Sequence, residues 1–240
     1  MQTVNSRYTS IIIASYIPDD LRAKTFRTSL DSLIETTKDY PVEIIVVDNG
    51  GNEYVSRDLI ELTEQGIIQT YIYNSSNMHF GFGRNQGLAM AYGNYIVIAD
   101  NDLNYNPGWL EACWKPLELY PNKKIYSTPI EYPTSKLKGK YDQGKLDVEG
   151  IEYNLNMRAG SNCFMVRKED FKKIGNFKNH RIAGTKWTDE AVHLGYLAAV
   201  APGKLVYDLG LRVGYNHRLA IPIKRILRNG EEVIFNQDEY

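Results

Sequence analysis

The stretch IVIADND, residues 96–102, runs an apolar segment straight into Asp100, Asn101 and Asp102. Two carboxylates one residue apart repel each other unless water or a cation intervenes. At the end of a buried strand they suit an Asx-type turn. They equally suit a hard divalent ion such as Mn²⁺ or Mg²⁺, which takes oxygen ligands and leaves room for phosphate oxygens. A third carboxylate, Asp48, ends another apolar run in VVDNGG. It could accept hydrogen bonds from a ribose hydroxyl or a base N–H, although DNGG is also a strong turn sequence. Arg84, in GFGRNQG, offers a fixed cation for a phosphate or for a salt bridge to one of these carboxylates.

A second group of chemical residues lies later. Thr188-Asp189-Glu190 opens TDEAVHLGYLAAVA, read as a helix over 188–201 with Thr188 as its cap. Acidic residues in a first turn are stabilised by the helix dipole, so capping is one reading and a general base is the other. Trp187 could stack on the apolar face of a sugar or belong to the core. His180 lies beside it, in NHRIAGTKW. The tail RLAIPIKRILRNG carries Arg218, Lys224, Arg225 and Arg228 and is interrupted by Pro222. Those cations suit phosphates, a lipid-linked acceptor, peripheral contact with anionic lipid, or simply a solvated end.

The elements that must position these residues follow from periodicity. Apolar runs at 9–16, 43–50, 67–73 and 95–99 read as buried strands. Helical spacing separates them, with Phe26, Leu30, Leu33 and Ile34 in one helix and Val55, Leu59 and Leu62 in the next. A glycine-rich turn over NMHFGFGRNQG enters a third helix and resembles a phosphate cradle. Its spacing is GxGxxxG rather than the dinucleotide fingerprint, and it follows the third strand instead of the first. Strand–helix alternation predicts an α/β fold with a mostly parallel sheet, whose ligands sit beyond the carboxyl ends of the strands. Asp48, Asp100 and Asp102 would then line one crevice. After Asp102 comes a helix through Trp109, Leu110, Cys113, Trp114 and Leu117, opened by Pro107. Short strands follow within 125–166, with a loop over 131–150, and FKKIGNF reads as a short helix and turn.

The 240 residues hold 28 Lys plus Arg against 29 Asp plus Glu, a net charge of −1 that gives no general attraction to nucleic acid. Cys113 and Cys163 sit in apolar runs and read as core thiols. The polar start MQTVNSRYTS lacks a signal-peptide apolar region, and no run reaches the roughly 20 apolar residues that span a bilayer. The expectation is a cytoplasmic protein with at most peripheral membrane contact.

Taken in order, IIIASY, VVDNGG, GFGRNQGLAMAYGNYIVIADND, RAGSNCFMVRKEDFKKIGNF and TDEAVHLGY resemble the family 2 glycosyltransferases of GT-A fold. The resemblance covers about residues 9–217. It implies one domain over 1–217, with a nucleotide-binding half (9–102), an acceptor-facing half (103–217) and a basic tail (218–240). Ser15, Asp48, Arg84, Asp100 and Asn101 would contact the nucleotide-diphospho sugar. Asp102 would hold Mn²⁺ or Mg²⁺, with Asp100 near it and His217 completing the shell. Gly160 and Ser161 would lie beneath the sugar and the acceptor, with Trp187 on the acceptor side. The family's acidic pair, Glu then Asp, is reversed here. Glu190 is the base by position and Asp189 by residue type. The implied reaction moves a hexosyl or deoxyhexosyl group to a hydroxyl of a glycan, lipid-linked or other acceptor, with inversion, in polysaccharide or glycan synthesis. A nucleotidyltransferase and a non-catalytic sugar-nucleotide-binding relic are the rival readings.

Overall fold

The computed structural model describes residues 7–130, 141–159, 162–178, 183–203, 205–209, 223–226 and 232–235; for 183–186, 223–226 and 232–235 the description is of the backbone alone. Strand β1 (Thr9–Ile17) is followed by α1 (Asp20–Thr37), whose cap Asp19 accepts from the Arg22 N–H at 2.9 Å. Then come β2 (Val42–Gly51), α2 (Glu53–Glu64), β3 (Thr70–Tyr73), α3 (His79–Met90) and β4 (Tyr95–Ala99). Past the DND segment lie β5 (Leu103–Tyr105), α4 (Trp109–Leu119) and β6 (Ile125–Thr128). A hairpin of β7 (Asp142–Val148) and β8 (Ile151–Asn156) leads to β9 (Cys163–Arg167) and α5 (Lys168–Ile174). The chain continues through α6 (Ala183–His193), β10 (Leu197–Val200), β11 (Val206–Asp208), β12 (Ile223–Ile226) and β13 (Glu232–Phe235).

Nine strands form one sheet in the order β3-β2-β1-β4-β9-β6-β10-β8-β7, which runs through both halves of the chain. The strands from β3 to β4 are parallel; the later half mixes parallel β6–β10 with antiparallel neighbours. Strand alternation divides the core into two layers. Ile11, Ile13, Ile44, Val46 and Val97 face the layer of α1, α2 and α4. Ile12, Ile45, Ile96 and Ile98 face the other, which also holds Phe164, Trp187 and Tyr196. Cys113 and Cys163 are buried free thiols, as their apolar neighbours predict. Among the described residues no helix is long and apolar enough to cross a membrane.

Several local expectations are corrected. The glycines of GFGRNQG do not form a phosphate-cradling turn: Gly81, Gly83 and Gly87 lie inside α3. Their use is close packing. A Cβ on Gly87 would overlap Ile12 Cγ2, and one on Gly83 would lie 3.1 Å from Ala14 Cβ. The third strand starts at Thr70 rather than 67, because the backbone of 67–69 turns back to bond Leu62 O and Ile44 O. Of the expected loop over 131–150, residues 142–148 belong to the β7–β8 hairpin, and 131–140 lie outside the described residues. The helix expected over 188–201 begins at Ala183 and ends at His193, and LAAV is a strand of the main sheet. Thr188 is therefore buried inside the helix instead of capping it. In the tail, 223–226 pairs with 232–235 as an antiparallel hairpin.

Two tight features hold the sheet's lower edge. Gly93 sits where a Cβ would overlap the Ser10 backbone, while the buried Glu43 accepts from Ser10 Oγ at 2.5 Å and from Tyr92 N–H at 2.7 Å. Farther along, buried Arg167 donates to Asp170 and to the carbonyls of Leu117 and Lys123. Asp170 also accepts from Lys173 and Tyr196. Burial alone would raise the Asp170 carboxyl, but donation from Arg167, Lys173 and Tyr196 outweighs it and holds the pKa below the usual carboxylate value.

Two outcomes are expected. Gly93→Ala should lower the urea unfolding free energy by about 1–3 kcal/mol, the usual range for overpacking, because the clash is with backbone. Asp170 has a depressed folded pKa, so its stabilisation is full above the unfolded value of about 4 and is lost as pH falls through the lower folded value. Asp170→Asn should therefore destabilise the protein at pH 7 and flatten the acid limb of its stability–pH curve.

Candidate active site at the strand ends

Parallel pairing brings the carboxyl ends of β1, β2 and β4 to one edge. Ser15 lies opposite Asp48, Asp48 opposite Tyr73, and Ile13 opposite Ala99, one residue before Asp100. The register thus assembles Ser15, Asp48 and the DND segment on the edge where such sheets bind ligands.

Asp48 is 2% exposed and well bonded. Its Oδ1 accepts from the Gly50 N–H at 3.0 Å, and its Oδ2 accepts from Ser56 Oγ at 2.7 Å and Tyr71 Oη at 3.1 Å. Burial, with the Asp48 charge beside it, pushes the Tyr71 hydroxyl up to about 12. Asp48 therefore closes the turn that DNGG suggests, and at the same time it is fixed at the crevice.

Arg84 reaches across from α3. It is 4% exposed, and its Nη2 donates to Asp100 Oδ1 at 2.5 Å. The guanidinium carbon lies 5.2 Å from the ring centroid of Phe177 and 5.9 Å from that of Phe80. Phe177 is set there by Asn85, which exchanges two hydrogen bonds with its backbone, at 2.8 and 3.0 Å. So the salt-bridge reading of Arg84 holds in this structure, and the anion is Asp100. Asp102 is 7% exposed, and its carbonyl accepts from the Leu209 N–H at 2.7 Å. Asn101 is half-buried between the two aspartates. The Asp100 N–H donates to Asn162 O at 2.7 Å, which ties the DND segment to the entry of β9.

Buried side-chain atoms that lack a hydrogen-bond partner include Ser15 Oγ, Asn49 Nδ2 and Arg84 Nε, one on each of three elements that meet at this edge. Folded proteins leave few such atoms, and each is costly unless a ligand or water satisfies it. Ser15 Oγ, Asn49 Nδ2 and Arg84 Nε are all donors, and they suit an oxygen-rich anion. Among the described residues no group of three or more His, Cys, Asp or Glu converges to hold a metal. Asp100 and Asp102 still fit a hard divalent ion, which commonly takes one or two carboxylates and completes its shell with phosphate and water. His217 lies outside the described residues, as do Gly160, Ser161 and His180.

The acidic pair sits in the second turn of α6, beyond the first turn where a helix dipole acts strongly. Asp189 is ion-paired with Arg158, and Glu190 with Lys178 at 3.6 Å. Trp187 is not an acceptor platform: it is 2% exposed, stacks on Phe164 and Phe171, and donates its indole N–H to Gly175 O at 3.0 Å. Sequence reasoning missed Arg158, Phe177, Ser56 and Tyr71. The only signal for Arg158 was its place two residues before Gly160; Phe177 closes the FKKIGNF segment, but its contact with Arg84 is non-local, as are those of Ser56 and Tyr71 with Asp48.

The two partners of the buried ion pair differ in burial, 5% against 28% side-chain exposure. Asp100→Asn should cost more stability than Arg84→Met, because it strands the more deeply buried charge. Losing one partner of a buried pair costs about 3–5 kcal/mol. Urea midpoints of the two variants give the order.

The family model for Glycosyl transferase family 2 matches residues 10–175. The "Putative polypeptide N-acetylgalactosaminyltransferase 13" of Drosophila melanogaster is 25% identical over 237 residues, covering 87% of this chain and 41% of that protein. A mannosyltransferase from Pyrobaculum calidifontis, solved in complex with GDP-Man and Mn²⁺, superposes with a TM-score of 0.64 at 16% identity, over 89% of this chain and 59% of that one. GalNAc-T7, solved with UDP, GalNAc and Mn²⁺, gives 0.63 at 14% identity, over 86% and 45%. The chain spans less than two thirds of each of these proteins, and the structural likeness is one of fold. By the extent of the family match and by its GT-A architecture, the chain belongs to glycosyl transferase family 2.

Proposed function

We propose that this protein transfers a sugar from a nucleotide-diphospho donor to an acceptor hydroxyl. The observation that carries the reading is the convergence of Asp48, Asp100 and Asp102 on one strand edge, with buried Arg84 bonded to Asp100 and unpaired donors around them. Ser15 and Asp48 would contact the nucleoside. Asp100 and Asn101 would face the ribose or sugar, with Arg84 behind them. Asp102, near Asp100, would hold Mn²⁺ or Mg²⁺, and His217 would complete the shell. A bound ion of this kind neutralises the leaving diphosphate as a Lewis acid. Metal and nucleotide sugar in the Pyrobaculum structure support that assignment.

The base is the Glu190 carboxylate. Its contact with Lys178 is long and exposed, whereas Asp189 is held by Arg158. Glu190 would take the proton of an acceptor hydroxyl that attacks the anomeric carbon from the face opposite the diphosphate, giving inversion. Gly160 and Ser161 would line the acceptor side. A glycan or lipid-linked acceptor fits a role in polysaccharide or glycan synthesis, and the basic tail would add peripheral contact with anionic lipid.

Melting temperatures with UDP, GDP, dTDP and CDP, each in Mn²⁺ and in EDTA, test the donor site. One nucleotide should stabilise the protein in Mn²⁺ alone, by about 2.7 kcal/mol at a hundredfold excess over its dissociation constant. No shift with any nucleotide would favour a non-catalytic relic, and pyrophosphate rather than nucleoside diphosphate as product would favour a nucleotidyltransferase. Asp102→Asn should abolish the Mn²⁺-dependent part. Glu190→Gln should keep donor affinity and lose transfer, whereas transfer lost in Asp189→Asn alone would move the base to Asp189.

A further inference from the structure

Asn85 gives both ends of its side-chain amide to one residue, 92 positions away. Its Nδ2 donates to Phe177 O at 2.8 Å, and its Oδ1 accepts from the Phe177 N–H at 3.0 Å. Phe177 is 3% exposed and lies in 175–178, a segment in no helix or strand, so its buried backbone groups need partners from elsewhere. The other end of the segment is tied to α6, where the Trp187 indole N–H donates to Gly175 O at 3.0 Å. Between these ties the Phe177 ring centroid lies 5.2 Å from the Arg84 guanidinium carbon and 5.9 Å from that of Trp187. Residues 175–177 are thus a strut between two helices. One is α3, where Arg84, next to Asn85, holds Asp100. The other is α6, where Glu190 follows Trp187 by three residues.

Resting on the donor-site and base assignments above, we propose that Asn85 is a positioning residue for transfer, whose two bonds to Phe177 set the separation between Arg84 with Asp100 on one side and Glu190 on the other. One hydrogen bond fixes a distance; two to the same residue also fix its direction. The Trp187 bond fixes the far end of the strut. Misplacing a reacting group by about 1 Å costs about 100-fold in rate, even when the change lies away from the chemistry. Nucleotide binding depends on the strand-end groups and does not need the strut.

The test uses two variants of the full chain. Asn85→Ala removes both bonds and adds no charge beside Arg84. Trp187→Phe keeps a ring, removes the bond at the other end, and carries the test if Asn85→Ala does not fold. Gly93→Ala, which strains the sheet's lower edge without touching the strut, is the control for lost stability. Turnover is read as nucleoside diphosphate released in Mn²⁺ from UDP-glucose, UDP-N-acetylglucosamine or GDP-mannose, with water as acceptor. Nucleotide affinity is read by calorimetry with UDP or GDP, below each melting transition. In both variants kcat should fall about 10- to 100-fold below that of Gly93→Ala, with KM and nucleotide affinity unchanged. Turnover that falls only with the folded fraction, up to variants that do not fold, overturns the proposal and makes the strut purely structural. A raised KM at unchanged kcat also overturns it, because the strut would then serve donor binding. A parent that binds no nucleotide overturns the donor-site reading itself. A parent that binds nucleotide but releases none from any donor leaves the donor site standing, and this inference falls.

Discussion

A guanidinium buried to 4% exposure must find an anion or the fold does not form. Arg84 finds Asp100, and much of the site follows from that one contact. The pair locks α3 to the end of β4, so the helix cannot slide without stranding a charge. It also settles which of the two DND carboxylates meets the arginine: Asp100, not Asp102. Phe80 and Phe177 present their rings to the guanidinium, which adds a cation–π attraction.

The glycines of α3 make that contact possible. Arg84 can reach the strand end only because the helix lies close on the sheet, with Gly83 over Ala14 and Gly87 over Ile12. The same residues that suggest a phosphate loop in the sequence are thus packing residues. Their relation to the candidate site is indirect: they set the depth of the helix that carries the arginine.

From the opposite layer, α1 anchors the segment that follows the aspartates. Ser29, Ser32 and Thr36 lie along one side of the helix and accept from the Leu103 N–H, the Tyr105 N–H and the Trp109 indole, at 3.1, 3.2 and 3.1 Å. Hydroxyls at this spacing would ordinarily be assigned to a solvated face. Here they satisfy the backbone of β5, a short strand outside the main sheet that needs partners for its N–H groups. The DND turn is therefore held between an ion pair on one side and a hydroxyl ladder on the other.

The first half of the fold was legible because its strands are buried on both faces and its helices carry one apolar stripe, patterns that local composition writes directly. The strand-end positions of Asp48, Asp100 and Asp102 were legible for a related reason: each follows an apolar run that local composition marks as a buried strand. In the second half the helices at Trp109–Leu119 and Lys168–Ile174 were legible, but LAAV was not, because it reads as well in a helix as in a strand, and only a place between β6 and β8 decides for strand. Trp187 shows the same limit, since an indole serves a core or a sugar face equally until its neighbours are known. The amino-acid sequence determined the strand–helix alternation, the strand-end carboxylates and the family. Tertiary structure alone decided which cation meets which carboxylate, because Arg84 with Asp100 and Arg158 with Asp189 join residues from different elements, and pairing across elements depends on distances that no local pattern encodes.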